Sequence, residues 1–416
     1  MKETIITGLD VGSTAIRIVV GQSFSDGTET KLQIIGASEH PSEGIHRGSI
    51  TSIDDAANSI SACVEKAERM SGVPVESAWV GISGTHIVSQ TTRGVVAVGK
   101  INGEISKSDV ERALETARTI ATPPNHEILH VIPRSSIIDG QISTKDPIGM
   151  TGSRLEVDAL VIQGFTSEIR NFTKCVYRTG LEIEDLVFSV LATAEATLSN
   201  KQKELGVVLI IIGGSTTSMI VYEEGEVLHS AVLPMGSDHI TSDIAIGLRI
   251  SIDLAEKLKL DYGSLVSKES PRKGDFHLSE LDESEQGSVP LKYVNQIIEA
   301  RVEEIFEKIE HELKKIGRSG ILPGGAILTG GGSKLSGIVD IAKKRLRLPV
   351  AYAAVRNIVN VIDKVYDQTF IPALGIAYWG LLSEQQKGRR ASSFLSIDTP
   401  FDIRSRVKKL FKALLP

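Results

Sequence analysis

Residues 206–222, GVVLIIIGGSTTSMIVY, constrain the fold more than any other stretch. An apolar run from Val207 to Ile212 meets Gly213-Gly214 and three hydroxyls, Ser215, Thr216 and Thr217, before apolar alternation resumes at Met219 and Val221. The pattern predicts a buried strand, a tight glycine turn and a returning strand. Two readings of the turn stand side by side: a plain Gly-Gly hairpin, or backbone N–H groups and hydroxyls that cradle phosphate. The pattern recurs in TIITGLDVGSTAIRIVVGQS at residues 4–23, where Gly12-Ser13-Thr14 answers Gly213-Gly214-Ser215-Thr216. Recurrence of one supersecondary unit about 200 residues along the chain predicts two related domains facing each other across a cleft. The copies differ in one place. Asp10 stands two residues before the first turn's glycine, and Ile211 takes that position in the second.

A chain of 416 residues exceeds one small core, so two to four domains or subdomains are expected. Charged residues at 24% and hydrophobic residues at 41% describe an ordinary globular composition, and aromatics at 5% leave the core to Ile, Val, Leu and Ala. Both cysteines, Cys63 and Cys175, fall in helix-like segments and read as core thiols of a reducing compartment rather than a disulfide or metal site. There is no long apolar stretch at the N-terminus, so no signal peptide is expected, and no apolar run is long enough to span a bilayer. The net charge of −6 is uneven: residues 385–416 carry eight Lys/Arg against two Asp, a local +6 that leaves −12 elsewhere. A basic tail on an acidic body points to an acidic surface, membrane or nucleic acid.

In chain order, residues 1–50 read as strands, 53–71 as a helix with Ile53, Ala57, Ile60, Val64 and Ala67 on one stripe, and 77–84 as a strand. Residues 85–162 read as a β-α-β-β unit interrupting the first domain, its helix at 106–121 opened by a Ser106/Asp109 capping box. EIRNFTKCVYRTG is a helix ended by Gly180, LEIEDLVFSV a strand, and LATAEATLSNKQ one short helix leading to the second hairpin. A strand and helices at 237–248 and 251–260 follow, and 262–289 reads as strands with loops or as linker. The longest helix runs from about Pro290 to Ile316 with Val294, Ile298, Val302, Ile305, Ile309 and Leu313 as its stripe. Arg301 falls on that stripe, either snorkelling at its edge or meeting a partner. AILTGGGSKLSGI (326–338) is a third Gly-rich loop, a strand running into Gly330-Gly331-Gly332 with Ser333 opening a helix, suited to a nucleoside or phosphate. DQTFIPALGIAYWGLL reads as a final strand and helix closing the body near Leu382.

The end of the chain divides into a polar linker (384–398) and an amphipathic helix (399–416) with Thr399 as N-cap and Pro400 at its first position. Ile403, Val407, Leu410, Phe411, Leu414 and Leu415 share one face, and Lys408, Lys409 and Lys412 lie on the other. At about 1.5 Å per residue this helix is roughly 24 Å long, and its charges forbid spanning. It reads either as a helix docked on its own domain or as an interfacial anchor in anionic lipid, and the preceding linker and basic face favour the anchor.

Two matched hairpins and a third glycine loop resemble the actin / sugar kinase / Hsp70 ATPase superfamily, in which two similar domains clamp a nucleotide. Within it, GLDVGSTAIRIVVG, VGISGTHI, ILHVIPRSSIIDGQ, KDPIGMTGSRLEV, LPMGSDHITSDIAIGL, LTGGGSKLSGI, PALGIAYWG and the basic C-terminus follow the order of the FtsA family of actin-like bacterial cell division proteins. The resemblance covers essentially the whole chain. It implies an α/β actin-like fold: a first core domain at 1–84 and 163–198 with a return near 365–383, an inserted subdomain at 85–162, and a second domain at 199–364 with a smaller subdomain at about 240–316.

What else the resemblance implies is carried residue by residue. Asp10 matches the acidic residue that holds Mg²⁺ through water, and Gly12, Ser13 and Thr14 match the first phosphate turn. Arg17, nearby, is assigned no direct contact. Gly213, Gly214, Ser215, Thr216 and Thr217 match the second turn, and Gly236 belongs to the nucleotide-binding set. Glu256 and Lys259 match a helix reaching ribose or base, and Gly331, Gly332 and Ser333 match the adenosine loop. Asp10 and Glu195 are the catalytic candidates. Glu195 resembles a residue near the attacking water, and a structural role for it is equally open. Arg301 matches a region receiving the FtsZ C-terminal tail. The departure is the loop IIGGSTTS, with Ile211 and Ser218 where the family commonly has Asp. The expectation is therefore a protein that binds ATP and Mg²⁺ and hydrolyses ATP weakly or not at all. It is expected to tether FtsZ to anionic lipid on the cytoplasmic face of the membrane at the septum, to self-associate into filaments, to meet other divisome proteins and to bind no nucleic acid. The alternatives are a PilM-like scaffold of a pilus or secretion machine and a phosphotransferase of the same fold.

Overall fold

The computed structural model describes residues 4–25, 30–265, 275–281, 287–360 and 362–392. The first hairpin is β1 (Ile5–Val11) and β2 (Ala15–Ser25), and β3 (Thr30–Pro41) completes a meander. After the small pair β4 (Ile45–His46) and β5 (Ser49–Ile50), α1 (Ile53–Ser71) crosses to β6 (Ser77–Ile82), parallel to β1. Ser52 caps α1, its Oγ accepting from the Asp55 N–H, and Gly72 ends the helix at φ +71°.

The chain then leaves this sheet for β7 (Ile87–Ala97), α2 (Lys107–Ala121), β8 (His126–Ile138), β9 (Ile142–Thr144) and β10 (Arg154–Phe165), which form a sheet of order β7-β10-β8-β9 with its own apolar core. The insert has one strand more than the β-α-β-β reading, the three-residue β9. Its helix opens as expected: Ser106 N–H donates to Asp109 Oδ2 at 2.8 Å, and Gly99 N–H donates to Oδ1 at 3.0 Å. The chain returns through α3 (Thr166–Arg178) and β11 (Glu182–Phe188) to α4 (Ser189–Thr197) and α5 (Asn200–Leu205). LATAEATLSNKQ is thus two helices, not one. Ser199 accepts from Gln202 N–H while Gln202 accepts from Ser199 N–H, and this capping box starts a new helix in place of the old one.

The second half opens with β12 (Val207–Ile212), β13 (Thr217–Glu223) and β14 (Glu226–Leu233), followed by α6 (Ser237–Leu248) and α7 (Ile252–Tyr262). β15 (Asp275–His277) pairs antiparallel with β16 (Ser288–Pro290) ahead of the long α8 (Leu291–Lys315), every stripe residue of which is buried. β17 (Ala326–Thr329) runs into a 3₁₀ turn at Gly331–Lys334. α9 (Ile338–Leu346) begins only after Gly337 at φ +84°, so Ser333 opens a single turn rather than the expected helix. β18 (Val350–Tyr352), β19 (Ile358–Asn360) and α10 (Ile371–Ser392) complete the described chain. α10 continues past Leu382 into the expected linker, because the Glu, Gln, Lys and Arg residues read there as polar linker are good helix formers. The amphipathic segment 399–416, including every proposed membrane residue from Ile403 to Leu415, lies outside the described residues.

The two large sheets share one plan. The first has the order β11-β6-β1-β2-β3-β19 and the second β14-β13-β12-β17-β18: in each, an antiparallel meander joins two parallel strands beside its first strand. β12 is buried on both faces. Val207, Leu209 and Ile211 enter the core shared with the first lobe, and Val208, Ile210 and Ile212 enter the core beneath α6–α9. α10 lies across β1 and α4, and Gly375 permits that crossing: a Cβ there would sit 2.6 Å from Thr193 Cα.

His130 of β8 fastens the insert to the first lobe. Its Nε2 accepts from the Phe188 N–H at 2.9 Å, and its ring meets the Trp379 ring edge-on at 5.7 Å. Burial pushes its pKa down to about 3. The folded state therefore holds a neutral ring that the unfolded chain protonates below about pH 6.5, so this contribution is complete above that pH and is lost as pH falls. We expect stability to fall by about 1.4 kcal/mol per pH unit below 6.5 from this ring, on the order of 2 kcal/mol by pH 5. His130→Gln keeps an acceptor for Phe188 and takes no proton, so urea unfolding of the variant should lack that part of the slope. An unchanged pH slope would rule out His130 as its source.

Candidate functional site

The two hairpins are the same object by register. β1 and β2 close on the pair Val11–Ile16 around residues 12–15, and β12 and β13 close on Ile212–Thr217 around residues 213–216. Asp10 pairs with Arg17, and in the matching rung Ile211 pairs with Ser218. The second hairpin thus keeps the turn and replaces both polar partners of the rung by an alkyl group and a hydroxyl.

Both turns face one cleft of about 720 Å³ between the lobes. Of the residues singled out by sequence, Asp10, Gly12, Ser13, Thr14, Gly213, Gly214, Ser215, Thr216, Glu256, Lys259, Gly331 and Gly332 line it. Three others stand behind the lining. Thr217 is fully buried in β13. Gly236 backs the second turn, where a Cβ would lie 2.3 Å from Gly214 O. Ser333 is fully buried and donates its Oγ proton to Gly330 O at 2.7 Å, so the third loop is held by its own backbone. Gly330 has φ +89°, and a Cβ there would lie 2.5 Å from Ile212 O, which is why that loop can lie directly on β12.

The cleft has a polar floor and paired walls. Ser83 of the first lobe and Ser218 of the second share a hydrogen bond of 2.9 Å across it. Arg17 Nε donates to Glu39 at 2.6 Å, Lys259 pairs with Glu256 at 2.6 Å and donates to Thr241 Oγ1 at 2.8 Å, and Lys334 pairs with Asp367 at 2.6 Å. Burial pushes the Asp10 carboxyl up to about 6, against the pull of Arg17 and the Ser189 hydroxyl. A carboxyl in that setting gains from a nearby cation, so Asp10 fits a divalent ion, and the glycine turns fit an anion held against backbone.

Asp238, which the sequence reading passed over, is the residue that joins the two turns. Its Oδ2 accepts from Thr14 Oγ at 3.4 Å and from Ser215 Oγ at 3.2 Å, while its N–H donates to Gly214 O at 2.9 Å. The signal was present in LPMGSDHITSDIAIGL, as a carboxylate two residues after Gly236 at the start of a helix.

Glu195 lies off the cleft lining, and Arg301 is already paired within the chain. Glu195 pairs with the buried Lys203 at 2.7 Å and accepts from Tyr222 OH at 3.1 Å, while Lys203 also lies 4.8 Å over the Tyr222 ring. Burial, and then the Glu195 charge, raises the Tyr222 pKa well above its ordinary value. This triad joins α4, α5 and β13 at the crossover between lobes. Arg301 neither snorkels nor stands free. Its guanidinium forms a fork with Asp243 of α6 at 2.6 and 2.9 Å and reaches Glu304 at 2.6 Å.

Comparison with known proteins is consistent along the chain. A family model described as "Cell division protein FtsA" matches residues 208–375, and one described as "SHS2 domain inserted in FTSA" matches residues 84–163. The chain is 32% identical over 409 residues to cell division protein FtsA of Pseudomonas aeruginosa, covering 97% of each. It is 36% identical over 386 residues to the Bacillus subtilis protein of that name, covering 93% of this chain and 86% of the relative. Among solved structures it resembles the PilM–PilN type IV pilus biogenesis complex (TM-score 0.65, 16% identity, 90% of this chain and 98% of the other). It also resembles MreB 5 of Spiroplasma citri bound to AMPPNP (TM-score 0.55, 13% identity, 93% and 100%). These two likenesses establish the actin-like fold.

The Glu195 geometry generates a prediction. Glu195→Ala leaves Lys203 buried without its carboxylate, and we expect a loss of about 2 kcal/mol in chemical denaturation, reduced from the fully buried case by the partial exposure of Glu195. Nucleotide affinity, measured by calorimetry, should be unchanged. A selective loss of affinity at unchanged stability would return Glu195 to the site.

Proposed function

Because the chain belongs to the FtsA family of cell division proteins, we propose that it is an actin-like tether that binds ATP with Mg²⁺ in the cleft and links FtsZ filaments to the cytoplasmic face of the membrane at the division site. The observation that carries the nucleotide part is the pair of register-matched glycine turns facing one cleft, with the third loop on its wall. Gly12, Ser13 and Thr14 and their counterparts Gly213, Gly214, Ser215 and Thr216 take the phosphates. Asp10 faces the Mg²⁺ through water, Glu256 and Lys259 reach the ribose or base, and Gly331 and Gly332 lie under the adenosine. Thr217, Gly236 and Ser333 support this set from behind.

Arg301 is the proposed contact for the acidic, apolar FtsZ tail, together with α6. Its fork with Asp243 makes that contact a competition between two carboxylates for one guanidinium. The segment 399–416 is the proposed anchor: Ile403, Val407, Leu410, Phe411, Leu414 and Leu415 enter the acyl boundary and Lys408, Lys409 and Lys412 meet anionic headgroups. The protein self-associates into filaments and meets further divisome proteins. The likeness to PilM is one of fold, whereas identity above 30% over nearly the whole chain lies with cell division relatives.

The test is co-sedimentation of FtsZ with anionic liposomes. FtsZ should pellet only with the full chain and liposomes together, and should stay in solution with a chain lacking 399–416 or with Arg301→Glu. Arg301→Lys should retain partial activity, separating lost charge from lost fold. Binding of the truncated chain to liposomes would overturn the anchor.

Hydrolysis should be weak. Ile211 holds the place of the second turn's carboxylate, and Glu195 is committed to Lys203 and Tyr222. In a single-turnover assay we expect ATP to remain bound and largely intact over the time in which it supports sedimentation. Fast Mg²⁺-dependent phosphate release would contradict this.

A further inference from the structure

The charges lining the cleft do not suit a polyphosphate without help. Its lining cations, Arg17, Lys259 and Lys334, are each paired with a carboxylate: Glu39, Glu256 and Asp367. The remaining charge between the turns is negative. Asp10 stands on one side, and Asp238 lies directly over the second turn, where a Cβ on Gly214 would be 2.7 and 2.8 Å from its two carboxylate oxygens and 1.8 Å from Thr14 Oγ1. Asp238 thus fills the gap where anions held by both turns would meet. Its bonds to Thr14 and Ser215, at 3.4 and 3.2 Å, are long for a charged acceptor and so are readily exchanged.

We propose that Asp238 makes nucleotide binding in this cleft conditional on a divalent cation, supplying from the start of α6 the second carboxylate that Ile211 does not. This rests on the nucleotide reading above. Without a cation, the Asp238 carboxylate repels the phosphates. With one, Asp10 and Asp238 would hold the hydrated dication between the turns, and the repulsion would become attraction. Charges brought close together in a partly dry cleft interact strongly, so one carboxylate suffices for a large cation dependence. Asp238 is a positioning residue here, and the proposal makes no demand on hydrolysis.

The experiment is calorimetric titration of ATP into the full chain, with Mg²⁺ or with EDTA, for the parent protein, Asp238→Asn and Asp238→Glu. Asn keeps an acceptor for Thr14 and Ser215 and drops the charge. The parent should bind with Mg²⁺ and lose affinity by about tenfold or more in EDTA. Asp238→Asn should bind ATP in EDTA about tenfold more tightly than the parent and show a much smaller Mg²⁺ effect. Asp238→Glu should keep the parent's Mg²⁺ dependence. If Asp238→Asn fails to fold, as judged by its melting curve, Asp238→Ser makes the same comparison. An Asn or Ser variant with the parent's ratio of affinities overturns the role of Asp238 and leaves the nucleotide reading standing. A parent that binds no ATP even with Mg²⁺ overturns both.

Discussion

The two-sided burial of β12 is the constraint on which the rest of the molecule depends. Its six residues, all Val, Leu or Ile, alternate between two cores, and full burial of each such side chain is worth roughly 1.5–3 kcal/mol. A slip of one residue would exchange the two faces and bring Gly213 out of place, so register and turn are fixed together. From this strand the second sheet extends through β13 on one side and β17 on the other, and the Gly213 and Gly330 turns leave its end side by side. Ile211 takes part in this burial. The branched alkyl group at that rung joins the apolar core at the lobe junction and at the same time lines the cleft.

The insert makes the cleft more than a gap between two lobes. It is covalently part of the first lobe and held there by His130, yet it also touches the second. Ser89 of β7 donates to Ser230 O of β14 at 2.7 Å, and Lys145 reaches the carbonyl of Glu224. Burial raises the pKa of Glu226 in the same patch, with Lys145 and Arg134 opposing the shift and Glu224 and Glu204 adding to it. Widening the cleft would break the Ser83–Ser218 bond at its floor and strain this patch at its flank. The insert therefore belongs to the energetics of closure.

What the sequence disclosed was local. The hairpins, the Ser106/Asp109 box and the α8 stripe each depend on residues within one or two turns of one another, and periodicity and turn chemistry report them directly. What it hid depends on distant partners. Arg301 looked like a stripe-edge cation because its carboxylate, Asp243, lies 58 residues away on another helix. Asp238 becomes a bridge between the turns only through Thr14, 224 positions earlier, which joins its nearer partner Ser215. Glu195 sat in a helix whose family place suggested chemistry, and only the fold brings Lys203 and Tyr222 to claim it. The misread ends of helices have a different cause. The break before α5 and the late start of α9 were written in Ser199–Gln202 and Gly337, but competing signals of similar strength surround them. Polar composition masked the helical propensity of the residues after Leu382.

One helix, α6, runs from the cleft to Arg301. α6 starts at the second turn, where Asp238 bridges the turns, and five residues later carries Asp243, which holds Arg301. At about 1.5 Å per residue these carboxylates are roughly 7.5 Å apart along the axis of a single rigid element. One lines the cleft and the other pairs with Arg301 of α8. A bidentate guanidinium–carboxylate pair requires both of its bonds to lie in one plane. The carboxylate between the turns and the carboxylate that holds Arg301 thus belong to one helix, with no other element between them.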